Sequence, residues 1–150
     1  MRSRSQALLL AATVMAGAVG LQTSGWATAV VKVQLQDPSA GDGIDAMKVV
    51  AEPSTVKAGM VTFQVTNQSQ GLVHEMIVIQ APEDGKPLPY DTQKDLVSEG
   101  RIHSLGEVSE RSPGQSGMLT LNLKPGKYIL MCNQVGHYKG GMWTTLTATP

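Results

Sequence analysis

From residue 30 onward, apolar and polar residues alternate with a period of two in run after run, a rhythm that predicts strands rather than helices. Val30, Val31, Val33 and Leu35 open an extended run that stops at Asp37-Pro38. A Gly/Asp-rich turn over 40–45 leads to extended pieces at 47–51 and 55–56, which Pro53 separates and Lys57-Ala58-Gly59 closes. Val61, Phe63 and Val65 interleave with Thr62, Gln64 and Thr66, as in a strand with one face buried. After a turn over 67–71, the stretch 72–80 is rich in Val and Ile and reads as the strongest strand of the chain.

The next thirty-odd residues break the rhythm. Pro82, Gly85, Pro87 and Pro89 mark a loop, and Asp91 is placed to cap a short helix through Val97 that Gly100 would end. A short extended segment at 102–108 and a turn at Ser112-Pro113-Gly114 follow. Alternation then returns at 118–123, passes the tight turn Lys124-Pro125-Gly126, and resumes at 128–131 and 143–149. Short strands punctuated by turn signals predict an all-β sandwich or barrel, with a short helix or irregular loop near 82–115.

The first residues do not fit that fold. Arg2 and Arg4 precede an uncharged apolar run over 7–21 and a small-x-small pattern at Ala27-Thr28-Ala29. That order predicts a secretory signal peptide over 1–29, cut after Ala29. The apolar run is shorter than the roughly 18–20 residues of a spanning helix. No Cys follows it, which argues against a lipoprotein anchor, and Ser3 between the arginines argues against the twin-arginine route. The expectation is an exported protein, periplasmic or extracellular, with residues 30–150 forming one domain. Without Arg2 and Arg4, ten of the twelve basic side chains remain against twelve acidic ones, a net charge of −2. Such a balance, with no basic block, gives nucleic acid no electrostatic hold.

One cysteine in an exported chain is a puzzle, because exported cysteines normally pair. Cys132 is therefore bonded between molecules, reactive, or occupied by something else. Its neighbours favour the last. In Cys132-Asn-Gln-Val-Gly-His137-Tyr-Lys-Gly-Gly-Met142, four residues separate the thiol from the imidazole and four more separate the imidazole from the thioether. Gly136, Gly140 and Gly141 give the segment room to bend the three toward one point. His74, in the strongest strand, can supply a second imidazole if distant strands become neighbours. One thiolate, two imidazoles and a weak thioether form a soft set suited to copper. Ligation by copper would also shield a lone thiol from oxidation.

The run Tyr128-Ile-Leu-Met-Cys132-Asn133, with Gly136-His137-Tyr138 and Gly141-Met142, resembles the copper loop of the plastocyanin/azurin-type cupredoxins. Val65-Thr-Asn67 followed by His74-Glu75 resembles the segment of that family bearing its first histidine, and 123–128 resembles the turn before its cysteine strand. The resemblance implies a Greek-key β-sandwich with one mononuclear copper ion, Cu(II) or Cu(I), at one end. The implied ligands are His74, Cys132, His137 and Met142. The implied role is a one-electron carrier between a redox protein donor and acceptor, with the outer edge of His137 as electron exit. In several members of that family an Asn follows the first histidine; here it is Glu75, whose ionised carboxylate can only accept hydrogen bonds.

Other readings compete for some of these residues. His103 is the alternative imidazole, though it lies in the irregular region and is expected at the surface. Glu75 as a hard ligand would make a different copper site. Met47, Met60, Met76, Met118 and Met131 are too scattered for a copper-scavenging tract, and most are expected in the core. Trp143 and Tyr138 would either pack or shape an apolar docking patch around His137. The same ligands would also suit a carrier that delivers copper rather than electrons. An enzyme reading is poorer, because multicopper oxidases and reductases need more than the three histidines present. A monomer that docks transiently with its partners, including a membrane redox complex, is the expected working form.

Overall fold

The computed structural model describes residues 28–38, 43, 46–83 and 85–150 of the chain. The expected signal peptide lies outside the described residues except for Thr28 and Ala29, and so does the 40–45 turn except for Gly43. No helix among the described residues is long and apolar enough to cross a membrane.

Alternation becomes strand wherever the sequence shows it most plainly. The strands are β1 (Ala29–Gln36), β2 (Lys48–Glu52), β3 (Thr55–Lys57), β4 (Gly59–Asn67), β5 (His74–Gln80), β6 (Tyr90–Asp91), β7 (Leu96–Val97), β8 (Ser104–Arg111), β9 (Ser116–Leu123), β10 (Gly126–Met131) and β11 (Trp143–Thr149). They form a four-stranded sheet, β2-β1-β4-β9, and a five-stranded sheet, β3-β11-β10-β5-β8, with β6 and β7 as a separate ribbon. The chain crosses between the two sheets at β2–β3, β3–β4, β4–β5, β8–β9 and β9–β10, and β1 runs parallel to β4 while β11 runs parallel to β3. This is the Greek-key sandwich expected.

Strand parity builds the core. Val31, Val33 and Leu35 of β1 and Val61, Phe63 and Val65 of β4 face inward from one sheet. Met76 and Val78 of β5, Leu130 of β10 and Leu146 of β11 meet them from the other. Each such side chain, fully removed from water, contributes roughly 1.5–3 kcal/mol. The corner before β10 is pinned by the buried Tyr128, whose hydroxyl donates to the Lys124 carbonyl at 2.7 Å.

β5 departs from alternation because both its faces are covered. Ile77, Ile79 and Met131 on the outer face pack with Leu88 and Val97 from the loop over 81–103. That loop holds no helix at 91–97. Asp91 Oδ1 does accept from the backbone N–H groups of Gln93 and Lys94, at 3.0 and 3.2 Å, as a helix cap would. Asp95, at φ 58°, then reverses the chain, so that Leu96 and Val97 pair with Asp91 and Tyr90. The only helical turn of the loop among the described residues is a 3-10 turn at Glu99–Arg101. The extended segment expected at 102–108 is β8, reaching Arg111 as the edge partner of β5.

Candidate metal centre

Three neighbouring strands deliver three soft or imidazole side chains to one end of the sandwich. His74 opens β5, Cys132 follows the last residue of β10, and Met142 precedes the first residue of β11. The parity that sends Met76, Leu130 and Leu146 inward sends these three inward as well. All three are fully buried. The β10–β11 ladder continues one step past its strands, the Cys132 N–H donating to the Met142 carbonyl at 3.0 Å.

The residues between Cys132 and Met142 fold back on themselves. Gly136 and Gly141 take φ values of 79° and 89°, which a side chain would resist. The N–H of Met142 donates to the His137 carbonyl at 3.0 Å, and that of Gly140 to the Gly136 carbonyl at 2.8 Å. This tight loop returns His137 over Cys132.

The donor atoms converge. His74 Nδ1 and His137 Nδ1 lie 3.2 Å apart, Cys132 Sγ is 3.4 Å from His137 Nδ1, and it is 3.9 Å from His74 Nδ1. A triangle with those edges has its centre about 2.0 Å from each corner, the length of a metal–imidazole bond. No other cluster of three or more His, Cys, Asp or Glu among the described residues has the spacing to hold a metal ion. Two imidazole nitrogens and a thiolate at these distances would hold a small transition metal, and Met142 is buried at the same end of the sandwich.

Backbone and side-chain hydrogen bonds hold the sulfur in place. The backbone N–H groups of Glu75 and Gln134 act on Cys132 in the direction that favours its thiolate. The Glu75 carboxylate accepts from the Asn133 N–H at 3.2 Å and from Gln134 Nε2 at 3.4 Å. Glu75 thus grips the metal loop from beneath and is not among the converging donors. Asn133 extends the β6–β7 ribbon. Its Oδ1 accepts from the Val97 N–H at 2.8 Å, and its Nδ2 donates to the Val97 carbonyl at 3.0 Å and to Glu99 Oε1 at 2.8 Å. The ribbon also takes the Gly136 N–H on the Asp95 carbonyl at 2.9 Å.

Burial sets the electrostatics. It pushes the Cys132 thiol up to about 11, against the pull of those two N–H donors. It lowers the basicity of His137, with the neighbouring His74 acting in the same direction. Glu75 is pushed up to about 7 by burial first and then by Glu110.

The four residues singled out from the sequence, His74, Cys132, His137 and Met142, thus lie at one end of the sandwich. His103 is exposed and stands outside the cluster. Met47, Met76 and Met131 are core residues, whereas Met60 and Met118 are exposed. Trp143 is 45% exposed and sits against Tyr138, with ring centroids 6.3 Å apart. Two residues escaped the sequence reading. Asn133 was legible only as part of the loop motif, and Asp37, whose Oδ1 lies 2.8 Å from His74 Nε2, gave no local signal at all.

Residues 46–150 match the family model of the sulfocyanin (SoxE) domain. No curated protein sequence matches the chain significantly. Among solved structures, dithionite-reduced auracyanin from Roseiflexus castenholzii is similar at a TM-score of 0.54 and 22% identity, over 82% of this chain and 98% of that one. Rusticyanin from Thiobacillus ferrooxidans is similar at a TM-score of 0.55 and 16% identity, over 80% of this chain and 77% of that one. Auracyanin A, a "blue" copper protein from Chloroflexus aurantiacus, is similar at 0.52 and 19%, over 80% and 99%. Likenesses at these identities establish a shared cupredoxin fold.

Proposed function

The chain belongs to the sulfocyanin (SoxE) family of blue copper cupredoxins, and from that premise we propose that it is an exported one-electron carrier whose copper is held by His74, Cys132, His137 and Met142. The observation that carries this reading is the triangle of His74 Nδ1, Cys132 Sγ and His137 Nδ1, whose centre lies at bonding distance from all three. Bound copper supplies a couple that accepts and returns single electrons without bond chemistry in a substrate. The protein's part is to keep the donors still. Strand ends fix His74 and Cys132, the glycine-turned loop fixes His137, and the Asn133 and Glu75 hydrogen bonds brace the loop. Little then rearranges when the charge on the metal changes.

His137 is the electron exit in this reading. It is 8% exposed, whereas His74 is fully buried, so of the two imidazoles only His137 offers an edge to a partner. Val135, 66% exposed, and Trp143 lie close to it in sequence and give the surrounding surface an apolar character suited to brief docking with a redox protein. Removal of residues 1–29 as a signal peptide would release the β-sandwich, working as a monomer.

Adding Cu(II) to the purified protein is expected to give an intense thiolate-to-copper visible band and an EPR spectrum with narrow copper hyperfine splitting. Cys132→Ser should abolish the band and His103→Ala should leave it intact. Persistence of the band in the serine variant would remove the basis of the assignment.

Loading has a proton signature as well. A thiol pushed up to about 11 is protonated at pH 8, yet only the thiolate is a ligand. His137, with its lowered basicity, is already neutral there. Calorimetry at pH 8 in buffers of different ionisation enthalpy is expected to show about one more proton released per ion by the wild type than by Cys132→Ala. Equal release by the two would mean that the thiol is not the donor.

A further inference from the structure

We propose that Asp37 is a positioning residue for the metal, holding His74 as an Nδ1 donor and biasing the site toward the more highly charged state of copper. This inference rests on the copper reading above and deepens it. Asp37 stands one residue beyond the end of β1, and parallel pairing of β1 with β4 carries it to the metal end of the sandwich. Its Oδ1 lies 2.8 Å from His74 Nε2, and its Oδ2 accepts from the Gln70 N–H at 3.2 Å, so both oxygens are engaged and the group is held. His74 has no exposure, and the Asp37 side chain keeps only 19% of its own. The imidazole is therefore not free to turn.

A carboxylate can only accept, so the proton of a neutral His74 ring must reside on Nε2. The Nδ1 lone pair is then directed at the space shared with Cys132 and His137. Hydrogen bonding to a carboxylate also makes an imidazole a stronger donor. A fixed negative charge beyond the ring favours Cu(II) over Cu(I), which differ by one unit of positive charge. Asp37 lies ahead of residues 46–150, the segment of this chain that matches the sulfocyanin model.

The test compares the wild type with D37N and D37A in the full chain. Affinities for Cu(II) and Cu(I) are measured separately by competition with chelators, and the His74 tautomer is read by ¹⁵N NMR on metal-free protein. D37N keeps an acceptor without the charge. It should retain the Nε2–H tautomer and lose at least about tenfold in Cu(II) affinity, with Cu(I) affinity nearly unchanged. That ratio corresponds to a potential about 59 mV higher. D37A should lose at least as much and show a mixture of His74 tautomers. Equal weakening of both oxidation states would reduce Asp37 to a structural prop and overturn the proposal, as would unchanged affinities or a single unchanged tautomer in D37A. A wild type that binds copper without a thiolate band would instead defeat the copper reading, while the NMR result would still report what Asp37 does to His74.

Discussion

Asn67→Ala is expected to destabilise the metal-free protein by about 3 kcal/mol, lowering its melting temperature by roughly 10–15 °C. Asn67 is the last residue of β4 and is completely buried. Its Nδ2 donates to the carbonyls of Leu72 at 2.8 Å and Arg111 at 2.7 Å, while its Oδ1 accepts from the Ser69 N–H at 2.9 Å. One amide thus ties together the end of β4, the turn before β5 and the end of β8. Alanine would leave the part-buried Arg111 carbonyl and the buried Ser69 N–H without these bonds, at a cost of up to about 1–3 kcal/mol each. The Leu72 carbonyl retains the Ser69 hydroxyl at 2.6 Å, which limits the loss. Because Arg111 pairs with His74 across the β5–β8 ladder, loosening this corner also loosens a proposed metal donor. Chemical denaturation of the metal-free variant checks the energy, and a loss under 1 kcal/mol would contradict it. Asn67→Asp should be similarly damaging, since a carboxylate cannot donate to either carbonyl.

The strands were legible because each sheet face imposes its own period on the sequence. Val61, Phe63 and Val65 alternate since β4 has one buried face, and β9 and β11 follow the same rule. β5 read as a strand from its Val and Ile content alone. The reason for its unbroken burial is the loop over 81–103, which no local pattern could place. That loop also produced the one misread element. An aspartate that caps two N–H groups opens an Asx turn as readily as a helix, and the residues that decide come later. Here Leu96 and Val97 are drawn back onto the ribbon because Val97 packs on the outer face of β5 and exchanges two hydrogen bonds with Asn133, its N–H donating to Oδ1 and its carbonyl accepting from Nδ2.

The site divides along the same line. Cys132, His137 and Met142 sit in one glycine-bent loop, so their spacing is a local fact that a sequence displays. His74 becomes their neighbour only through the order β11-β10-β5, and the resemblance to cupredoxins supplied what spacing could not. Asp37 needed one further step, the parallel pairing of β1 with β4, which brings a strand-ending carboxylate to the far nitrogen of His74. Read along the chain, Asp37-Pro38 is only a stop.

Glu75 gives the second large expected effect, and its sign follows from burial. Its carboxyl is pushed from an ordinary value of 4.5 up to about 7, by desolvation first and by Glu110 second, against the favourable Asn133 N–H. A raised value means that the folded state holds the proton more tightly than the unfolded chain. The contribution to stability is therefore fully present below pH 4.5 and is lost as pH climbs through 7. The unscreened limit of that loss is about 3 kcal/mol, and screening by water at the rim of the site reduces it to about half. Glu75→Gln keeps an oxygen that can accept from Asn133 and Gln134 but carries no charge. The metal-free variant should be more stable than the wild type at pH 8 by about 1–2 kcal/mol, and the difference should vanish near pH 4.5. Denaturation of both proteins across that range measures it. A variant less stable than the wild type at pH 8 would show that the ionised carboxylate gains more from the N–H groups of the metal loop than it loses by leaving water.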